Sequence, residues 1–155
     1  MTTGVTVAAK EQLRQTVRTL LDCQAHGVLA TQHERQPYTS LMAFAVTPDL
    51  RWIVIATSRA TQKHANLLTN PRASLLIDNR TNKSAGYHNT VAISAQGMVS
   101  EVDVARRDEL LQLYLDKHPD LSDFVSATDC VLLAIDVESF YVVSKFQNVD
   151  VLQMV

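Results

Sequence analysis

The pattern of apolar and polar residues along the chain predicts a mainly β fold with inserted helices. Between residues 90 and 102 every second position, from Val91 to Val99, is apolar or small, as in a strand with one buried face. Further β-rich runs cover 28–31, 38–46, 52–56, 73–78, 130–137 and 140–144. Several connections are too short for a crossover helix, so we expect antiparallel pairing. Only Glu138 and Ser139 separate the last two runs, which predicts a closing hairpin.

Three segments have a helical period instead. Residues 10–23 place Leu13, Val17, Leu20 and Leu21 on one face, which predicts an amphipathic helix against the core. We expect further helices near 61–70 and 104–117, the last capped by Asp103. The polar segment 79–89 is interpreted as a long exposed loop or lid.

This order of elements, with about seven mostly antiparallel strands and helices inserted between them, favours a closed or split β-barrel over a doubly wound sheet. A chain of 155 residues, 46% hydrophobic and 19% charged, is the size of one domain. We therefore expect a single domain over 1–155, with the barrel within 27–151.

Charge and cysteine content narrow the class of partner. The net charge of -2 does not favour general nucleic-acid binding, and no apolar stretch reaches the roughly 20 residues of a membrane span. Cys23 and Cys130 are too few for a disulfide framework and are expected to be free thiols. The first residues lack the basic and apolar pattern of a secretory signal, so the expected location is the cytoplasm.

The stretch IATSRATQKHANLLTNPRASLLI, residues 55–77, contains the best candidate for a binding site. It predicts strand, helix and strand, with Thr61 capping the helix and Pro71 ending it. Arg59 and Lys63 bracket the helix start, where free N–H groups already favour an anion. Thr57, Ser58 and Gln62 supply further donors. Taken alone, these cations are slightly better explained as the solvated face of a short helix.

Other recognisable sites are missing from the sequence. It contains neither GxGxxG nor GxxxxGK[ST], and its five histidines form no HExxH or paired-ligand spacing. We expect no metal site, and a Ser/His/Asp hydrolase has no elbow motif to support it.

The series LATQHERQPYTSLMAFAV, IVIATSRATQKHANLLTNPRASLLI, VAISAQGMVSEV and FYVVSKFQNV resembles the pyridoxamine 5'-phosphate oxidase-like FMN-binding split-barrel superfamily. The resemblance covers roughly residues 29–149 in order. Its most specific part is TQKHANLLTNPRASLLI, where the family has a hydroxyl residue, a phosphate-binding Lys, an Asn-Leu pair and an Asn-Pro turn.

The resemblance implies a six- to seven-stranded antiparallel split β-barrel of the FMN-binding type. It also implies a homodimer, with two FMN sites built from both subunits at the interface. Lys63 and Gln62 would hold the FMN phosphate with Thr61 nearby, and Arg59 would reinforce that contact. The remaining implied cofactor contacts lie on two strands: Ala56, Thr57 and Ser58 on one, and Ser40, Leu41 and Met42, beside the flavin ring, on the other. The flavin would then carry the redox chemistry.

Two departures from the family pattern bear on the substrate. True pyridoxamine phosphate oxidases carry a basic residue at each end of the second strand, where this chain has Ser40 and Ala45. The Trp and Arg pattern near the family's C-terminus is also absent. The chain is more similar to the flavin-reductase-like and haem-utilisation branches, so pyridoxamine is not the expected substrate.

The leading functional hypothesis is an FMN-dependent oxidoreductase that acts on a small molecule or electron donor, with no side chain identified as an acid or base. One alternative is a module that carries flavin or haem without turnover. Another is a barrel without cofactor that serves as a dimeric scaffold.

Overall fold

A computed structural model describes residues 6–81 and 87–154. The helices in this part are α1 (Val7–Cys23), α2 (Gln62–Thr69), α3 (Val104–Lys117) and α4 (Ser122–Ser126). The strands are β1 (His26–His33), β2 (Gln36–Ala43), β3 (Ala45–Val46), β4 (Trp52–Ser58), β5 (Arg72–Asp78), β6 (Ala92–Glu101), β7 (Cys130–Ser144) and β8 (Asn148–Gln153). Short 3-10 helices cover Tyr87–Asn89 and Pro119–Leu121. The middle of the predicted 79–89 lid lies outside the described residues.

The strands form one curled antiparallel sheet. Seven of them follow the order β2-β1-β5-β6-β7-β4-β3, and β8 pairs with β7. The two ends of this path, β2 and β3, are consecutive in the chain and separated only by Phe44. The sheet must therefore curl back on itself, while β2 and β4 stay unpaired across the gap. The predicted split barrel is confirmed.

The interior of the barrel is filled by the buried face of each strand. In β6 the burial alternates as predicted, with Ile93, Ala95 and Val99 inside. Strand β4 is buried on both faces from Ile53 to Thr57, because a second apolar cluster covers its outer side. That cluster joins the sheet to α3 and α4 through Ala45, Val54, Ala56, Leu110, Tyr114, Val125 and Leu132.

The predicted helices are all present, with small shifts at their ends. Helix α1 begins three residues before the predicted start of 10, because Thr6 caps it by accepting a hydrogen bond from Ala9 N. Asp103 occupies the N-cap position of α3 but makes no side-chain capping bond. None of the helices in the described ranges combines the length and apolar character that crossing a bilayer requires.

The prediction of a closing hairpin over 130–144 was wrong. Residues Cys130–Ser144 form one continuous strand, and the partner that closes the sheet is β8. Glu138 and Ser139 lie not at a turn but beside an irregularity in the β6–β7 pairing, between Gln96 and Gly97. A Cβ at Gly97 would lie 2.0 Å from the Asp136 carbonyl oxygen, so only glycine permits this backbone approach.

Candidate functional site

The connection between β4 and α2 is held by a chain of hydroxyl groups. Thr61 Oγ1 donates to the Ser58 carbonyl at 3.0 Å and lies 3.0 Å from Thr57 Oγ1. The same oxygen caps α2 by accepting from His64 N at 3.4 Å, which confirms the predicted N-cap. Ser58 Oγ donates to Asp129 Oδ2 at 2.7 Å. These side chains therefore fix the start of α2 relative to β4, with their hydroxyl protons already engaged.

Helix α2 is fixed to the barrel wall by Asn66. This residue is fully buried; its Nδ2 donates to Thr31 Oγ1 at 3.1 Å, and its Oδ1 accepts from Gln62 Nε2 at 2.7 Å. Leu67 beside it packs into the core of the barrel. The Asn-Leu pair thus sets the rotation of α2, and with it the position of Lys63 on the first turn.

A cavity of about 480 Å³ opens beside this helix start. We call it the α2 cavity. It lies at the gap where β2 and β4 face each other without hydrogen bonds, and its outer wall comes from the segment after α3. Its lining residues are His26, Leu41, Met42, Ala43, Ala56, Thr57, Ser58, Thr61, Lys63, Tyr114, Leu121 and Phe124.

The cavity brings together most of the predicted site residues. Seven of them line it: Leu41, Met42, Ala56, Thr57, Ser58, Thr61 and Lys63. Ser40, Arg59 and Gln62 do not. Gln62 is engaged with Asn66, and Ser40 Oγ is buried without a hydrogen-bond partner, alone in this among the described side chains.

The guanidinium of Arg59 forms an ion pair with a carboxylate of the protein. Its guanidinium contacts Glu101 on β6, with Nη2 2.6 Å from Oε1 and Nη1 3.4 Å from Oε2. The hydrogen bond from Arg59 holds the pKa of Glu101 below its usual range, and Glu101 raises the pKa of Arg59 in turn. Both side chains are about half exposed, so this pair contributes little to stability.

Lys63 is in a different position. Within the described ranges, its ammonium makes no ion pair or hydrogen bond with a protein group. The first N–H groups of α2 also lack acceptors inside the helix. Among them, His64 N donates to the side chain of the N-cap residue Thr61. A free cation and a helix N-terminus therefore meet at one end of the cavity, which is a suitable arrangement for a phosphate.

The rest of the lining was not predicted from the sequence. His26 starts β1, Ala43 ends β2, and Tyr114, Leu121 and Phe124 come from α3 and the segment after it. Tyr114 lies on the buried face of α3, where its burial alone does not distinguish a site residue from a core residue. No local motif marks these residues, because the barrel brings them to Lys63 from distant parts of the chain.

A comparison with known families agrees with this geometry. The family model for pyridoxamine 5'-phosphate oxidase matches residues 13–144, which is most of the chain. The chain belongs to the pyridoxamine 5'-phosphate oxidase family. Its β4–α2 connection and the α2 cavity both lie within the matched segment of this family. No curated protein matches the sequence itself.

Solved structures show the same split barrel. A haem-binding protein from Mycobacterium smegmatis superposes with a TM-score of 0.79 at 19% identity, over 88% of this chain and 55% of that one. General Stress Protein 26 from Bacillus anthracis gives 0.67 at 18%, over 92% and 99% of the two chains. A FAD-binding protein from Mesorhizobium loti gives 0.66 at 16%, over 83% and 91%. The chain therefore spans about half the length of the haem-binding protein. At these sequence identities, the similarity establishes the fold.

Proposed function

We propose that the protein binds FMN in the α2 cavity and acts as a flavin-dependent oxidoreductase on a small molecule. The observation that carries this proposal is the free ammonium of Lys63 beside the N-terminus of α2, at one end of an apolar cavity. Membership of a family whose fold serves flavin- and haem-binding proteins supports it.

The phosphate would be bound by Lys63 and the first N–H groups of α2. Thr57, Ser58 and Thr61 border the same end, but their protons are engaged with protein acceptors, so their role is to position the helix start. Gln62 and Arg59 would act indirectly, because Asn66 and Glu101 hold them. The donor set therefore fits a phosphate group attached mainly to one lysine and one helix end.

The remaining walls suit a flat ring system. Met42, Ala56, Leu121 and Phe124 present apolar surface, and the volume of about 480 Å³ is in the usual range for a cofactor site. Ser40, on the same strand as Leu41 and Met42, would contact the ring only through backbone groups. The residues present thus fit both ends of FMN.

Bound FMN would supply hydride and electron transfer, which no protein side chain provides. The chain would bind and orient the flavin and shield it from water. A pyridoxamine phosphate substrate is not supported, because Ser40 and Ala45 supply no cation. Ala45 is 1% exposed and packs in the second apolar cluster.

A homodimer is part of the same proposal. On the outer face of the sheet, paired residues form an unbroken row across six strands: Leu41, Val28, Leu76, Ser94, Tyr141 and Val151. The row leaves apolar side chains in solvent, with Leu41 72% exposed, and such surfaces mark interfaces. Because Leu41 also lines the α2 cavity, a second copy covering this row would complete the cavity wall.

The dimer is tested by light scattering with Leu76→Glu. We expect the wild type to have twice the 17.2 kDa mass of one chain. The variant should have the mass of a single chain, since a charge buried in the interface would oppose association. Val104→Glu is the control, because Val104 is 92% exposed at the start of α3 and away from the row. A monomeric wild type would refute the dimer.

The cofactor is tested by the absorption spectrum of protein purified under native conditions. We expect a flavin band at about 450 nm and roughly one FMN per subunit. A Soret band would show haem instead, and His26, the one imidazole lining the cavity, is then the residue to test as iron ligand. Colourless protein that fails to take up added FMN would rule out both cofactors and leave the scaffold hypothesis.

We also propose a cytoplasmic location. Cys23 and Cys130 are both free thiols, which accords with a reducing compartment.

A further inference from the structure

Tyr114 is the aromatic side chain that α3 contributes to the α2 cavity. It is 1% exposed, packs in the second apolar cluster with Ala56 and Leu110, and lines the cavity. Its ring lies 5.2 Å from that of His118, whose Nε2 is 2.8 Å from the Phe44 carbonyl oxygen. The position of the Tyr114 ring is therefore fixed by packing on several sides.

The hydroxyl of Tyr114 has no hydrogen-bond partner among the described residues. A buried phenol normally has one, because an unpaired hydroxyl loses its bonds to water without replacement. Unlike the Ser40 hydroxyl, that of Tyr114 is not completely sealed by protein atoms. The small accessible part of Tyr114 therefore includes its hydroxyl. Because Tyr114 lines the α2 cavity, we infer that the hydroxyl is accessible from that cavity.

The protonation state of this hydroxyl decides what it can bind. Burial, with smaller contributions from Cys130 and Asp120, raises the pKa of Tyr114 to about 12. The phenol consequently keeps its proton at neutral pH and is a hydrogen-bond donor toward any ligand in the cavity. A ligand atom that accepts a hydrogen bond, such as a carbonyl oxygen or an unprotonated ring nitrogen, can therefore pair with this donor.

We propose that the Tyr114 hydroxyl donates a hydrogen bond to an acceptor atom of the flavin ring system and thereby helps to select and orient the ring. The inference rests on the proposed binding of FMN in the α2 cavity. Flavin rings carry carbonyl oxygens and unprotonated nitrogens at their edge, so they offer the acceptor that the protein lacks. Tyr114 would then be a positioning residue at the ring end, while Lys63 acts at the phosphate end.

The test compares wild type with Tyr114→Phe, which removes only the hydroxyl. We expect the dissociation constants for FMN and for riboflavin to rise by the same factor, roughly 2- to 12-fold, because a neutral hydrogen bond to the ring is lost in both. The absorption maximum of the bound flavin should shift. The Tm of the ligand-free variant should be unchanged or higher, since no protein acceptor is left unpaired.

Tyr38→Phe is the matched control, because Tyr38 is 41% exposed and does not line the cavity. It should change neither the affinity nor the spectrum. Wild-type affinity and spectrum in Tyr114→Phe would overturn this inference alone, and so would a lowered Tm of the ligand-free variant, which would show a structural role for the hydroxyl. A wild type that binds no flavin would overturn the proposed function and this inference with it.

Discussion

Two cavities of similar size border helix α3, and each contains a lysine. The α2 cavity of about 480 Å³ holds Lys63, near the Tyr114 side of α3. The second, of about 530 Å³, lies between α1, β3 and α3, and we call it the α1–α3 cavity. It is lined by Arg18, Asp22, Ala45, Val46, Pro48, Leu113, Asp116 and Lys117. Neither the volume nor the presence of a lysine distinguishes the two cavities.

In the α1–α3 cavity the cations already have partners. Lys117 Nζ donates to the Leu21 carbonyl at 2.8 Å and lies 3.9 Å from the centre of the Phe44 ring. Arg18 contacts Asp22 and donates to the Thr47 carbonyl at 2.8 Å. Burial lowers the pKa of Lys117 to about 8, even though the carbonyl and the ring face favour its charged form. These groups join α1 and α3 to the barrel.

In the α2 cavity two side-chain donors are free, although the three hydroxyl residues at its end are engaged. Lys63 and the Tyr114 hydroxyl have no partner in the described part of the chain, and the α2 N-terminus adds N–H groups. The two cavities therefore differ in whether their donors have protein partners, and not in volume.

The largest expected difference between the two lysines is in FMN affinity. Lys63→Ala should weaken FMN binding roughly 10- to 150-fold, the value of a charge-assisted hydrogen bond, and should change riboflavin binding much less. Lys117→Met should leave both affinities unchanged. Isothermal titration of the two variants measures this. Equal losses for FMN and riboflavin in Lys63→Ala would place the phosphate elsewhere.

A smaller difference concerns the dependence of stability on pH. The unfolded chain binds the Lys117 proton up to pH 10.5, whereas the folded protein releases it near pH 8. The unfolded state therefore holds more protons in this window, so the free energy of unfolding should rise with pH between these values. In Lys117→Met this rise should be reduced, and in Lys10→Met, which changes an exposed lysine of α1, it should remain. Denaturant unfolding at several pH values in this window measures the free energy of unfolding. If its slope against pH in Lys117→Met equals that of the wild type, the rise does not come from Lys117.

The smallest expected effect is at Arg59. Since Glu101 holds this guanidinium, Arg59→Ala should change FMN affinity less than Lys63→Ala does. Glu101→Gln weakens the pair and frees Arg59, and we expect FMN affinity to rise roughly 2- to 5-fold, the value of an exposed ion pair. Fluorescence titration measures both variants. A loss in Arg59→Ala as large as that in Lys63→Ala would mean that the pair opens when FMN binds.

The fold followed from local patterns wherever neighbours in the chain decide the structure. The alternation in β6, the cap at Thr61 and the end of α2 before Pro71 are set by nearby residues, and all were predicted. Strand β7 was not, because Glu138 and Ser139 have the composition of a turn. Their extended conformation depends on pairing with β6 and β8, which is a long-range effect.

The same distinction holds for the site. Ala56, Thr57, Ser58, Thr61 and Lys63 lie close together in the sequence and share the cavity, so the pattern of one segment was enough to predict them. His26 and Tyr114 reach the cavity only through the curl of the sheet and the packing of α3. Neither has a local signal, since an apolar helix face accounts for a buried tyrosine equally well.

The central claim is that FMN occupies the α2 cavity with its phosphate at Lys63. A crystal structure of the protein with bound FMN tests it most directly. We expect the phosphate within hydrogen-bond distance of Lys63 Nζ and the first N–H groups of α2, with the ring against Met42 and Tyr114. A phosphate bound in the α1–α3 cavity, or on the surface away from α2, would contradict the account.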